Sequence, residues 1–292
     1  MMTDCRARIS LWIGTMLCLM TIGCQRQAVL EQGNAAYYWR TDLRLDTTER
    51  AFLKQHHIKK LYCRYFDVVI NDEAAGPVPN ATISFSDSLP EGVEIVPTVY
   101  IMENCMHEPH PGLAEKLVKR IIQINEANAI GNIREIQIDC DYTAKSRKTY
   151  YAFLKEVGKA WGKALSTTIR LHQLSMEAPA VDYGVLMIYN TGDPRKFVER
   201  NPILDIRDVA PYLKRLDGYP LPLAAAYPVY QWVRHIQGVR VEHTVEAEEI
   251  LRVKQAVEKY RPSLSRAVIT YHLDKENIKR YKPETYEEIY RH

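Results

Sequence analysis

The sequence predicts an α/β protein folded as a (β/α)8 barrel behind an export leader, and three observations carry that prediction. Apolar, strand-like runs alternate with amphipathic helical runs, the order that yields a parallel sheet with crossover helices. Eight such strand runs can be counted. Removing residues 1–23 as a leader from the 292-residue chain leaves 269, close to the roughly 250 typical of this barrel. A doubly wound open sheet is the alternative. No GxGxxG or GxxxxGK turn follows the first strand, so its nucleotide-binding versions lack support and no cofactor is implied.

The chain opens with Arg6 and Arg8, followed by an apolar run over 9–22 that ends at Gly23-Cys24. A run of about 14 residues falls short of the roughly 20 that a membrane-crossing helix needs, so an export signal is expected rather than a permanent span. Thr21-Ile22-Gly23-Cys24 resembles a bacterial lipobox, although Leu usually stands where Thr21 does. That resemblance implies lipidation at Cys24 and an outer-membrane anchor, facing either the periplasm or the surface. Residues 24–35 then read as lipidated cysteine and tether, and 36–292 as the barrel. Cys5 and Cys18 leave with the leader. Among Cys63, Cys105 and Cys140 one disulfide or none is expected, because a domain of this size can bury a full core unaided.

Strands are expected at 36–40, 60–69, 94–101, 135–141, 168–173, 183–190, 221–227 and 267–273. Several are β-branched or aromatic without strict alternation, as strands covered on both faces require. Between them, Asp46-Thr47-Thr48-Glu49 can cap a helix running to His57. Residues 112–128 and 146–162 place their apolar side chains along one stripe, and further helices are expected at 205–216, 244–260 and 275–291.

Composition excludes several functions. At 46% hydrophobic and 26% charged residues the chain is neither disordered nor collagen-like. Its 39 Lys and Arg are interspersed with 36 Asp and Glu, so no footprint for nucleic acid stands out. Tyrosine is the unusual entry, with 19 against 5 phenylalanines. Rings with a polar edge suit half-wet places such as sugar-stacking platforms, as well as ordinary rims and surfaces.

In a (β/α)8 barrel the site lies at the C-terminal ends of the strands. In the fourth run, a period of two puts Gln137, Asp139 and Asp141 on one face and Ile136, Ile138 and Cys140 on the other. The polar set should point into the barrel, where two nearby carboxylates cannot both ionise cheaply, so one becomes suited to acid catalysis. Pairing with a buried Arg64 or Arg170 would instead make an aspartate a structural ion. Other strand ends offer binding groups: Trp39 and Arg40, Asp67, Tyr100, His172 with Gln173, Tyr227 with Trp232 beyond it, and Tyr271 with His272. Aromatic faces stack on sugar rings while Asn, Asp and Arg bond hydroxyls. Cys105, His107 and His110 are metal-capable, but no fourth ligand is legible and no metal site is expected.

The sixth run continues Met187-Ile188-Tyr189-Asn190-Thr191-Gly192. Asp139-x-Asp141 together with Met187-x-Tyr189 resembles the chitinase-like (family 18) glycoside hydrolases, whose Asp-x-x-Asp-x-Asp-x-Glu motif ends in the proton donor. Matched so, Thr143 stands at the donor position, Glu135 lies just outside the first aspartate, and Asn190 replaces the aspartate after Met-x-Tyr. The chain from about residue 36 is also similar to a group of bacterial lipoproteins with a glycosidase-like barrel, through Tyr37-Tyr38-Trp39-Arg40, 61–67, Ile138-Asp139-Cys140-Asp141 and Tyr189-Asn190-Thr191-Gly192.

These resemblances imply a membrane-anchored barrel that binds or hydrolyses a glycan. If it hydrolyses, Asp141 is the expected donor, Asp139 its electrostatic partner, Tyr189 and Asn190 orient the sugar, and Trp39 and Trp232 are platforms. A second carboxylate would come from Asp67 or Glu103. The alternative is a glycan-binding or envelope scaffold protein that has lost its proton donor, as Thr143 suggests.

Overall fold

The structure, a computed structural model, describes residues 30–71, 76–193, 199–236 and 239–292. The expected leader, Cys24 and residues 25–29 of the expected tether lie outside the described residues.

Strand β1 (Gly33–Tyr38) and the short β2 (Asp42–Leu43) lead into α1 (Thr47–Gln55). Asp46 Oδ1 accepts from Glu49 N and Glu49 Oε2 accepts from Asp46 N, the reciprocal cap expected from the sequence. Then come β3 (Ile58–Asn71), β4 (Gly76–Asn80), β5 (Ser84–Phe85), β6 (Glu94–Ile101), α2 (Leu113–Ala127), β7 (Glu135–Cys140), α3 (Arg147–Trp161) and β8 (Ala164–Arg170). The second half runs β9 (Tyr183–Met187), α4 (Ile206–Leu216), β10 (Leu223–Pro228), the hairpin β11 (Trp232–Ile236) and β12 (Val239–His243), α5 (Ala247–Tyr260), β13 (Ala267–Tyr271), α6 (Lys275–Ile278) and α7 (Pro283–Ile289).

Eight parallel strands form one closed sheet in the order β1-β3-β6-β7-β8-β9-β10-β13, and β13 pairs back onto β1. This is the predicted (β/α)8 barrel. β4 lies antiparallel on the far end of β3, and no helix separates β8 from β9, where only a 3-10 turn over Leu171–Ser175 intervenes.

Several expected bounds shift, among them the sixth strand, which ends at Met187 and not at 190. β1 starts at Gly33, ahead of the expected 36. The fifth strand begins at Ala164 and ends at Arg170, because Ala-Leu-Ser-Thr carries little apolar signal although all but Ala164 are buried. The helix expected over 275–291 is two helices, since Pro283 cannot continue a helix and begins a new one at its first turn.

The barrel interior is polar, and its bonds cross the lumen. Tyr37 of β1 donates to Gln137 Oε1 of β7 at 2.8 Å, and the hydroxyls of Tyr62 on β3 and Tyr183 on β9 share a hydrogen bond at 2.6 Å. At the lower end Glu135 accepts from Ser166 Oγ at 2.6 Å, from Lys60 Nζ at 3.1 Å and from Tyr183. Many tyrosines are internal braces rather than rim residues: Tyr65 donates to Asn125 at 2.8 Å and Tyr286 to the Asn277 carbonyl at 2.7 Å, all within the core. A buried phenol needs a partner to offset its lost hydration, and these have one. Cys63, Cys105 and Cys140 are buried free thiols.

Candidate functional site

β7 alternates as its sequence dictates. Gln137 and Asp139 face the lumen, where they meet Tyr37 and Thr168, while Ile136, Ile138 and Cys140 pack in the surrounding core. Asp139 therefore stands at the upper end of the polar interior, beneath a cavity of about 140 Å³ at the C-terminal mouth.

Trp39 following β1, Tyr100 of β6 and Tyr271 of β13 form aromatic walls of this cavity. Tyr189, just past β9, stacks on Tyr271 with ring centroids 4.8 Å apart, and Tyr271 lies 5.6 Å from Trp39. Arg64 of β3, Arg170 of β8 and Met187 of β9 complete the lining beside Asp139 and Asn190. The strand ends thus converge as the barrel requires, and six expected site residues meet here: Trp39, Tyr100, Asp139, Tyr189, Asn190 and Tyr271.

Asp139 is nearly sealed, with 2% of its surface exposed. Burial raises its pKa from 3.8 to about 6. The negative charges of Asp141 and Asp67 add to the rise, and the Arg170 guanidinium and the Thr168 hydroxyl, 2.6 Å from Oδ1, oppose it. A carboxyl near 6 exchanges a proton readily at neutral pH. Tyr189 is equally buried, and its hydroxyl has no hydrogen-bond partner among the described residues. Burial pushes its pKa well above the ordinary value, so it stays a neutral donor.

Asn190 follows in the left-handed region at φ 55°, which asparagine tolerates better than most residues. Its Oδ1 accepts from Tyr230, leaving the amide nitrogen as the group with hydrogens still to donate. Tyr230 in turn contacts Tyr271, with centroids 5.4 Å apart.

Other expected site residues lie elsewhere. Asp141 does not point inward with Asp139: β7 ends at Cys140, and Asp141 is half exposed and held by Arg170 Nε. Asp67 is engaged by both Nε and Nη2 of Arg64. Arg40 turns to Glu49, at 2.7 Å, and to Asp274. Tyr227 is on the opposite face of its strand, fully buried on the side of Glu258 in α5. His172 rides the 3-10 turn that replaces the end of the fifth strand and is exposed. Trp232 opens the hairpin and touches Tyr230, with centroids 6.0 Å apart, outside the cavity lining. Glu103 accepts from Thr143 Oγ1 at 2.9 Å and bonds His107 Nε2 at 2.7 Å, also outside that lining. Cys105 donates to the Val68 carbonyl at 3.5 Å.

Sequence reasoning treated Arg64 and Arg170 as possible partners of the aspartates and not as cavity residues. The available signal was parity: Arg64 shares a strand face with Tyr62, and Arg170 with Ser166 and Thr168, whose side chains bond inside the barrel.

No protein-family model matches the chain, and no curated protein matches it in sequence. Solved structures do match in fold. A chitinase from Bacteroides thetaiotaomicron superposes with a TM-score of 0.56 at 13% identity, over 89% of this chain and 94% of that one. A GH113 β-1,4-mannanase gives 0.52 at 10%, over 84% and 90%. The xylanase and α-amylase inhibitor protein XAIP-II from Scadoxus multiflorus gives 0.51 at 10%, over 89% and 98%. The architecture is therefore that of glycoside-hydrolase-type TIM barrels, in accord with the chitinase-like resemblance at the level of fold.

Proposed function

We propose that the cavity at the barrel mouth binds one sugar ring of a glycan, and that Asp139 is the group that exchanges a proton with the glycosidic oxygen. The observation that carries this is the placement of Asp139: a buried carboxyl with its pKa raised to about 6, opening into a cavity walled by Trp39, Tyr100, Tyr189 and Tyr271. Aromatic faces receive the apolar faces of a pyranose, and the polar groups between them receive hydroxyls. The cavity measures about 140 Å³ and is open at the barrel mouth, so no more than one sugar unit enters it and the rest of the glycan stays outside. A chitinase and a β-1,4-mannanase on the same architecture support the glycan reading.

A second reading is glycan binding without turnover. It is favoured by Thr143 at the expected donor position and by the pairing of Asp67 and Asp141 with arginines, since hydrolysis by two carboxylates needs both of them available. Asp139 is the better candidate acid than Asp141, because Asp139 lines the cavity while Asp141 is half exposed and held by Arg170 outside that lining. A hydrolysis and binding screen of the protein beside Asp139→Asn separates the readings. Turnover that vanishes in the variant supports the enzyme; binding that persists in both without turnover supports the scaffold.

The leader and Cys24 support anchorage of this barrel to the outer membrane by fatty chains. Mass spectrometry of the mature N-terminus tests this: a diacylated Cys24 is expected, and an unmodified N-terminus at another residue overturns it.

A further inference from the structure

The hydrogen-bond inventory of the cavity is unbalanced toward donors. Arg64 spends Nε and Nη2 on Asp67, leaving Nη1 without a hydrogen bond among the described residues. Arg170 spends Nε on Asp141 and aims Nη1 at the Met187 thioether, a weak acceptor, while its Nη2 lies 3.6 Å from Asp139. The Tyr189 hydroxyl is buried without a partner, and Asn190 has committed its oxygen to Tyr230. Against these donors stands one carboxyl, Asp139, whose Oδ1 already accepts from Thr168 at 2.6 Å.

The charges point the same way. Arg64 is neutralised by Asp67 and Arg170 by Asp141, so with Asp139 protonated the lining carries no net charge and still presents two guanidinium edges. An ionised carboxylate brings two oxygens with about four acceptor sites and pairs with guanidinium edges more strongly than a neutral hydroxyl does. A single neutral hydroxyl offers fewer and weaker acceptor sites to these donors than a carboxylate does.

We propose that the ring held in this cavity bears a carboxylate, as in a uronic-acid unit, gripped between Arg64 and Arg170 with the Tyr189 hydroxyl completing the cradle. The proposal deepens the glycan reading and rests on it. Arg64 and Tyr189 are then specificity-determining residues.

The test is calorimetric titration of the full chain with matched pairs of glycosides, the glucuronide, galacturonide and mannuronide each beside its neutral hexoside. At least one uronide should bind about tenfold tighter than its neutral counterpart. Arg64→Gln should lower uronide affinity by a larger factor than neutral hexoside affinity, so that the preference is lost. Should Arg64→Gln fail to fold, Tyr189→Phe, which removes a hydroxyl with no hydrogen-bond partner among the described residues, should weaken the uronide on an intact fold. Neutral glycosides that bind as tightly as their uronides, with Arg64→Gln without effect, overturn the acidic class and leave the glycan reading standing. Failure of every member of every pair to bind overturns both together.

Discussion

Arg170 Nη2 stands 3.6 Å from Asp139 Oδ1, while Nε of the same guanidinium holds Asp141. One cation thus serves two carboxylates in unequal surroundings. Asp139 keeps 3% of its side chain exposed and Asp141 49%, so burial falls on Asp139 and raises its pKa.

The pH dependence of the site follows from that asymmetry. A reaction that uses Asp139 as acid should decline as pH rises through about 6. Stability should move in the same sense. The folded protein holds the Asp139 proton more tightly than the unfolded chain, so this contribution is fully present below about 3.8 and is lost as pH rises through about 6. Urea midpoints recorded across that window for the protein and for Asp139→Asn check it; parallel curves would remove the raised pKa.

Arg170→Met should leave Asp139 buried without its counter-charge. Breaking a buried pair on one side costs about 3–5 kcal/mol. Because Arg170 is the strongest influence lowering the Asp139 pKa, its loss should carry the activity inflection above 6. An inflection that stays in place would show that Arg170 does not act on Asp139.

Tyr189→Phe should separate binding from folding. Its hydroxyl is buried with no hydrogen-bond partner among the described residues, so removing it should leave stability to thermal unfolding unchanged or raise it by about 1 kcal/mol. Ligand affinity should fall. A large loss of stability would reveal a bond to the hydroxyl.

At the opposite end of the barrel, Glu135→Ala should destabilise without touching the cavity. It would remove the acceptor shared by Ser166, Lys60 and Tyr183, at a cost of about 3–5 kcal/mol. Gly184→Ala on β9 should cost about 1–3 kcal/mol through overpacking, because an added Cβ would lie 2.8 Å from Ile169 Cγ1 and 2.9 Å from Leu223 Cδ2. Chemical denaturation of both variants measures these losses.

Much of the fold was legible because strand and helix periodicities are local. The third strand over Glu94–Ile101, the Asp46–Glu49 cap and the inward face of β7 all follow from residues within a few positions of one another. The site was legible in part. Trp39, Tyr100, Asp139, Tyr189, Asn190 and Tyr271 were found because a strand-end position in this architecture predicts convergence. Tyr227, His172 and Asp141 were misplaced by one to three residues of strand length, and a shift of one residue sends a side chain to the opposite face.

By itself the sequence determined the alternation of strand and helix and the parity that turns Gln137 and Asp139 inward. Closure of the barrel decided the rest. Only there do Arg64, from the second barrel strand, and Arg170, from the fifth, reach one cavity, and only there does Asp139 lose water while Asp141, two residues later, keeps it. Desolvation depends on what the rest of the chain places around a residue, and that information is not carried by its neighbours in sequence.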